Sequence, residues 1–300
     1  MAPGGKAGPG SRGVSVIVPI YEGWPILSRT LAALLRDLRG LRLPWQLLLV
    51  DNESSVELIE RVSALQEPGE DLRVLRRRRL GGRHFQPGAA RNIGIAEARY
   101  DCLVFLDADC VPGAGMLEIY AELTLADPET VFLGHREFVS SEELSPAEIA
   151  ADRSILQRAP RVGSRSNYGH PQDRRLAELL DLDGHPRPYD CLYGCNFALH
   201  RSCLGSVRFD PAYDGYWGYE DIDLGFRLHQ RGRRFRYVPE AFVFHQEGTE
   251  LSREERAAGR LRNLAIFASR CPGFVEYRGQ SRRAGALPDQ LRAGALVNVA

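Results

Sequence analysis

Asp107 and Asp109, separated by one small residue, follow the apolar run Cys102–Leu106. If that run is a buried strand, both acids leave its end. Ligands of open α/β sheets bind beyond the carboxyl ends of the strands. Two carboxylates buried there are costly without a compensating cation. An oxygen-preferring divalent ion, Mg2+ or Mn2+, would meet that need and carry phosphate oxygens as its remaining ligands. Asp-x-Asp alone is a short motif that also occurs as solvated loop acids, and its place after an apolar strand is what favours metal. His245 ends another apolar run, Ala241–Phe244. A lone histidine is more often structural, but a neutral imidazole at a strand end could complete the shell begun by Asp109.

A second acidic cluster, Glu220-Asp221-Ile222-Asp223, follows Trp217-Gly218-Tyr219 at the start of an apparent helix. Acids in a first turn are favoured by the helix dipole, so capping accounts for part of it. Trp217 offers a flat apolar face for a sugar ring, and Glu220 or Asp221 could take a proton from a hydroxyl held nearby. Asp51-Asn52-Glu53-Ser54 ends a third apolar run. Its carboxylate could accept hydrogen bonds from a base or ribose, while Ser54 could cap the next helix. Gly81, Gly82 and Arg83, then Gly88 to Gly94 with Arg91, form a segment of small residues ahead of a helix. Backbone can approach a ligand closely there, a helix N-terminus favours negative charge, and Arg83 and Arg91 could reach a diphosphate. The Arg76–Arg79 run reads as a solvated face.

These residues need a scaffold that brings strand ends together. Val14–Ile20 is a β-branched apolar run ended by Pro19 and Ile20. A helix follows, with Pro25 at its start, Ile26, Leu27, Leu31, Leu34, Leu35 and Leu38 at helical spacing, and Gly40 closing it. Strands are predicted at 46–50, 72–75 and 102–106, and helices at 56–65 and 89–99. Strands alternating with helices imply parallel pairing and a Rossmann-like sheet. Residues 140–188 are polar and irregular, with short helices predicted at 146–157 and 172–180. Such a stretch is often a lid or binding region, or a surface excursion with no role. Order returns in a strand at 192–199, a helix at 220–231, strands at 235–238 and 242–245, and a last helix at 252–269.

The chain has 300 residues, 44% hydrophobic and 26% charged, which excludes fibres and wholesale disorder. Thirty-nine basic residues balance thirty-nine acidic ones, which argues against general nucleic-acid affinity. No apolar run is long enough to span a bilayer, and the Gly/Pro-rich start is no secretory signal, so a cytoplasmic location is expected. Six cysteines are too few for a disulfide scaffold. Cys191, Cys195, His200 and Cys203 could suggest zinc, but Cys-x3-Cys is loose and Cys195 falls in the predicted strand, where a buried thiol is the commoner explanation.

Taken in order, the motifs resemble the family 2 glycosyltransferases of the GT-A fold. They are Val18-Pro19-Ile20-Tyr21, Val50-Asp51-Asn52-x-Ser54, Ala90-Arg91-Asn92-x-Gly94, Asp107-x-Asp109, Gly194-x-Asn196, Trp217-Gly218-x-Glu220-Asp221 and the late His245. The second half is similar to galactosyltransferases and chondroitin-polymerase-type enzymes. The resemblance spans residues 14 to 267. It implies an α/β chain with a mixed sheet flanked by helices. That gives one domain at 14–270, with 140–188 inserted on the acceptor side, a flexible tail at 1–13 and a C-terminal tail at 271–300. It also implies inverting, metal-dependent transfer from a nucleoside diphosphate sugar, UDP-linked by family likeness. Pro19, Tyr21, Glu22, Asp51, Arg91, Asp107, Asn196 and Trp217 would bind the nucleotide sugar. Asp109 and His245 would hold Mn2+ or Mg2+. Asp221 would be the base and Glu220 its neighbour. The acceptor is left open among saccharide, lipid-linked glycan, natural product and peptide.

Some features depart from that pattern. Cys195 stands where related enzymes often have glycine, the 77–87 loop is long and basic, and the Gln-x-x-Arg-Trp signature of processive synthases is missing, which favours addition of a single sugar. A sugar-phosphate nucleotidyltransferase is the rival enzyme, though it would want a basic glycine-rich loop where Tyr21-Glu22-Gly23-Trp24 stands. A non-catalytic nucleotide-binding scaffold is the rival outside enzymes. Leu261, Leu264, Ile266 and Phe267 on the last helix could touch a membrane periphery. Packing against the domain or a second copy in a homodimer is the default for such a stripe.

Overall fold

A computed structural model describes residues 11–78, 86–163, 172–173, 175–246 and 252–276. The predicted glycines Gly81 and Gly82 and the candidate Arg83 lie outside the described residues.

The strands β1 (Ser11–Ile20), β2 (Trp45–Asp51), β3 (Leu72–Arg76), β4 (Tyr100–Leu106), β5 (Cys110–Pro112), β6 (Thr130–Val139), β7 (Asn196–His200) and β8 (Arg234–Gln246) form one sheet. Its order is β3-β2-β1-β4-β7-β6-β8-β5. Parallel pairs join β1 to β2 and β4, β2 to β3, and β6 to β8, whereas β7 and β5 run against their neighbours. The sheet is therefore mixed. The carboxyl ends of β1, β2, β4 and β8 meet the amino end of β7 along one edge.

The central strands are apolar on both faces because both faces are covered, as parallel sheets require. Val14, Val16, Val18, Leu47, Leu49, Val104 and Leu106 enter one core. Ile17, Leu48, Val50, Leu103 and Phe105, offset by one residue, enter the other. Over the first lies α1 (Trp24–Gly40), whose Leu27, Leu31, Leu34, Leu35 and Leu38 are buried, together with α2 (Val56–Ser63) and α4 (Met116–Ala126). Over the second lie α3 (Pro87–Glu97), α8 (Arg201–Leu204), α9 (Glu220–His229) and α10 (Arg253–Arg270). A Cβ on Gly94 of α3 would come within 2.3 Å of Ile17, so glycine is what lets this helix lie on β1.

Four differences from the sequence reading have local causes. β1 starts at Ser11, within the expected tail, because the Val14 N–H donates to Pro44 O and the ladder to β4 extends backward. The strand expected at 192–199 starts only at Asn196, so Cys195 sits in the turn before it; all six cysteines are nevertheless free and buried. The two late strands are one, β8, whose register against β6 shifts between Gly134 and Arg136. Cys271 and Phe274, expected in a tail, are buried in the second core.

The described residues of 140–188 are pinned to α1 and to the sheet. They include α5 (Pro146–Ala151), α6 (Ser154–Arg158) and α7 (Leu176–Leu180). Arg29 Nε donates to Leu144 O at 2.7 Å, and Arg153 pairs with Asp37. The buried Asp173 joins Arg136 of β6 (2.9 Å) and Arg175 (2.6 Å). Phe267 of α10 packs against Tyr219, Phe226 and Phe274, while Leu261 is 70% exposed. The stripe on the last helix is thus largely a core contact. No helix among the described residues is long and apolar enough to cross a membrane.

Candidate active site

The site is built where β4 stops. Beyond Leu106 the chain turns, with Cys110 N–H bonded to Asp107 O, and this leaves the Asp107 and Asp109 side chains half-buried at 31% and 24% exposure. The three-residue strand β5 then pairs with β8, setting Cys110 opposite His245. Directly opposed residues share a face of the sheet. The ladder is extended by Gln246 N–H donating to Asp109 O at 2.8 Å, and His245 Nε2 lies 3.7 Å from Asp109 Oδ1. His245 Nδ1 sits 2.9 Å from its neighbour's carbonyl, Gln246 O. A carbonyl can only accept, so Nδ1 carries a proton and Nε2 is the ring nitrogen that faces the aspartate.

This donor set fits a divalent ion. The Asp109, Cys110 and His245 donor atoms all lie within 4.8 Å of one another. Two ligands each about 2.1 Å from one ion can stand 3.7 Å apart. Burial pushes the Asp109 carboxyl up, His245 works against that, and Asp107 adds to it. An acid held this way is short of positive charge. Burial pushes the Cys110 thiol well up, and it sits 3.5 Å from Asp109 Oδ1 as a donor, so the ready ligands are one oxygen and one nitrogen.

The second acidic cluster faces this one across Arg91. Gly218 and Tyr219 adopt positive φ (93° and 73°), which turns the chain sharply into α9 and points Glu220 and Asp221 back toward β4. Asp221 Oδ2 accepts from Gly194 N–H at 2.9 Å and Oδ1 from Ile222 N–H at 2.8 Å, so its orientation is held at both oxygens. Burial raises the Asp221 carboxyl; the Gly194 bond and Arg91 oppose that. Glu220 is pushed up to about 8 by burial and by Asp221, with Arg91 pulling the other way. Arg91 is 2% exposed, with Nη2 2.6 Å from Asp107 Oδ1 and Nη1 3.4 Å from Glu220 Oε1. Four carboxylates from two motifs thus meet around one guanidinium and one imidazole.

The comparisons agree with this architecture. Residues 15–185, more than half of the chain, match the profile described as glycosyl transferase family 2. The chain belongs to that family. It is 26% identical to the hyaluronan synthase of Pasteurella multocida over 270 residues, which is 87% of this chain and 27% of that protein. It is 30% identical to a pre-mycofactocin glycosyltransferase of Mycobacterium tuberculosis, covering 82% of this chain and 45% of that one. The chain therefore spans under half the length of these relatives. The crystal structure of GalNAc-T7 with UDP, GalNAc and Mn2+ superposes with a TM-score of 0.56 at 20% identity, over 79% of this chain and 44% of that one. That likeness shows the GT-A fold.

The remaining expected site residues of this family 2 chain divide into two groups. Tyr21 and Glu22, after β1, and Trp217, before α9, are half-buried at the same edge. Glu22 is tied to the loop after β2: Ser55 N–H donates to its carboxylate at 2.6 Å, and its own N–H donates to Ser54 Oγ at 2.9 Å. Pro19 is buried in β1 opposite Val50. Asp51 is fully buried; Ser54 N–H and Arg76 Nε engage its two oxygens at 3.0 and 3.1 Å. It braces the loop, and Arg76 and Arg77, read as part of a solvated basic run, are tied inward: Arg76 to Asp51 and Ser54 O, Arg77 to Asn52 and Gln86. Asn196, 1% exposed, differs most from expectation. Its Nδ2 donates to His135 O and Ala241 O at 3.0 and 2.8 Å, and its Oδ1 accepts from Tyr120 OH at 2.8 Å. Both its donors and its oxygen are engaged in tying β7 to β6, β8 and α4. Arg91 likewise faces carboxylates rather than open space. Sequence reasoning missed Tyr120 and β5, and with β5 the cross-strand pairing that delivers His245. A three-residue strand carries no periodicity to find.

Proposed function

We propose that this domain transfers a sugar from a nucleoside diphosphate sugar, UDP-linked, to an acceptor hydroxyl, with inversion at the anomeric carbon and with a divalent ion, Mn2+ or Mg2+. The observation that carries the reading is the meeting of Asp107, Asp109, Glu220 and Asp221 at one sheet edge, bridged by Arg91 at 2.6 and 3.4 Å. An ion held by Asp109 and His245 would supply Lewis-acid stabilisation of the leaving diphosphate.

The chain's own groups do the rest. Asp221 is the base. A hydroxyl is a poor nucleophile until its proton leaves, and a positioned carboxylate gains typically ~10²–10⁴-fold by accepting it. The two backbone N–H groups on Asp221 fix its direction, so little reorganisation is needed during attack. Glu220, pushed up to about 8, retains a proton near neutrality and can donate it in a hydrogen bond to a sugar oxygen. Trp217 offers an apolar face to the sugar or acceptor ring. Tyr21, Glu22 and the loop braced by Asp51 border the base and ribose, and Asp107 reaches the ribose. No enzyme nucleophile is required, since one displacement from the face opposite the diphosphate inverts the centre.

The acceptor belongs to residues 140–188 and is a saccharide, lipid-linked glycan, natural product or peptide receiving one sugar. The test is a panel of nucleotide sugars with Mn2+, Mg2+ or chelator, following nucleotide release and thermal stabilisation. Metal-dependent release of UDP from one donor supports the reading. Pyrophosphate release from a nucleoside triphosphate and a sugar phosphate would replace it with nucleotidyl transfer.

A further inference from the structure

Arg91 is surrounded in a way that a ligand-binding arginine is not. It leaves α3 on the buried side, with its guanidinium carbon 5.4 Å from the Phe209 ring centre. Gly194 closes the other side: a Cβ there would stand 2.4 Å from Nη2 and 2.5 Å from Cζ. The guanidinium therefore fills a slot from which it cannot swing out. Its Nη atoms are taken by Asp107 and Glu220, and Nε has no partner. Gly194, whose missing side chain makes the slot, is also the residue whose N–H orients Asp221.

We propose that Arg91 is a positioning residue: it shares one buried positive charge between Asp107 on the donor side and Glu220 on the acceptor side, and thereby sets the ionisation of Glu220. The part concerning turnover rests on the glycosyl-transfer reading, whereas the ionic part does not.

The charges around Glu220 can be counted by element. From its own helix comes Asp221, from the turn after β4 comes Asp107, and from α3 comes Arg91. Arg91 is also acted on by Asp221. One cation thus serves three acids. A guanidinium divided in this way cannot hold all three ionised in a desolvated site, and Glu220, whose bond to it is the longer at 3.4 Å, is the one that keeps its proton. Removing the cation would strengthen that tendency. Lysine would keep the charge and lose the two-pronged reach.

The test compares wild type, Arg91→Lys, Arg91→Met and Glu220→Gln, each checked for folding by circular dichroism. Melting temperature is measured from pH 5 to 9.5, a readout that needs no turnover. A carboxyl whose folded value is raised binds more protons in the native state, so stability falls as pH rises from its unfolded value toward about 8. Wild type should show that fall, and Glu220→Gln should lack it. Arg91→Lys should retain it, and in Arg91→Met its end should move to higher pH. UDP affinity is read by thermal shift in the presence of Mn2+. It should match wild type in Arg91→Lys, while kcat drops about 10- to 100-fold, as expected for one lost charge-assisted bond. A Glu220→Gln curve parallel to wild type overturns the proposal. So does a weakening of UDP binding in Arg91→Lys that accounts for its lost activity, since that would return Arg91 to the diphosphate. If Arg91→Met does not fold, the Glu220→Gln curve and the Arg91→Lys measurements still decide. If wild type turns over no nucleotide sugar, the transfer reading fails while the melting curves stand.

Discussion

His245 Nε2 lies 3.7 Å from Asp109 Oδ1 because β5, only three residues long, sets Cys110 opposite His245. One carboxylate oxygen and one imidazole nitrogen, the latter oriented by Gln246 O, are the two atoms that would hold the divalent ion proposed for this site.

His245→Ala should therefore remove metal-dependent stabilisation by UDP. Loss of a metal's outer-shell partner alone typically costs about 10–100-fold in affinity, and a direct ligand should cost at least that. Thermal shift with UDP across a Mn2+ series measures it, and chelator should bring wild type to the level of the variant. Equal Mn2+ dependence in both proteins would remove His245 from the site.

Asp221→Asn keeps an oxygen for the Gly194 N–H and gives up only the bond from the adjacent Ile222 N–H, so the turn and the fold should survive. Donor binding should persist while kcat falls by roughly 10²–10⁴. Steady-state rates at saturating donor, beside a melting curve, separate this from misfolding. A variant that still turns over at the wild-type rate would exclude Asp221 as base.

Asn196→Ala should act on stability. It leaves Tyr120 OH, His135 O and Ala241 O without their partner inside the fold. Each unsatisfied buried group costs about 1–3 kcal/mol. Urea unfolding should show a loss of that order, with unchanged UDP affinity in the folded fraction. A stable variant with weakened UDP binding would restore Asn196 to the donor pocket.

The Arg136–Asp173–Arg175 cluster predicts an acid limb. Burial alone would raise the Asp173 carboxyl, but Arg136 and Arg175 hold it far below the ordinary carboxylate range. A group with a depressed folded value contributes stability that is complete above its unfolded value of about 3.9 and is lost as pH falls below it. Asp173→Asn should flatten the acid side of the stability curve between pH 5 and 2. It should also lower stability at pH 7 by about 3–5 kcal/mol, because two buried guanidinium groups lose their counter-charge. Denaturant melts at several pH values test both.

Much of this molecule is legible in local pattern. The alternation Val14, Val16, Val18 against Ile17 needs only a strand's period of two and apolar cover on both sides. The leucines of α1 need only 3.6 residues per turn. Asp107-x-Asp109 after an apolar strand and Glu220-Asp221 at a helix start carry their positions with them. By contrast, the sequence pattern does not show α4, β5 or β6. β5 is too short to show a period, and in α4 the buried Met116, Leu117, Tyr120 and Ala121 are flanked by Ile119, Leu123 and Leu125, so an apolar face does not stand out.

The order of motifs along the chain was sufficient to indicate a Rossmann-like sheet with acids at its carboxyl edge, since strand ends and helix starts are written in neighbouring residues; local pattern implied parallel pairing, and the antiparallel places of β5 and β7 were decided by the folded chain. Where Arg91 and Asn196 point was decided only by the folded chain. A buried guanidinium must find carboxylates and a buried amide must find carbonyls, and the partners that satisfy them, Glu220 for one and Ala241 for the other, arrive from strands and helices that sequence distance does not connect.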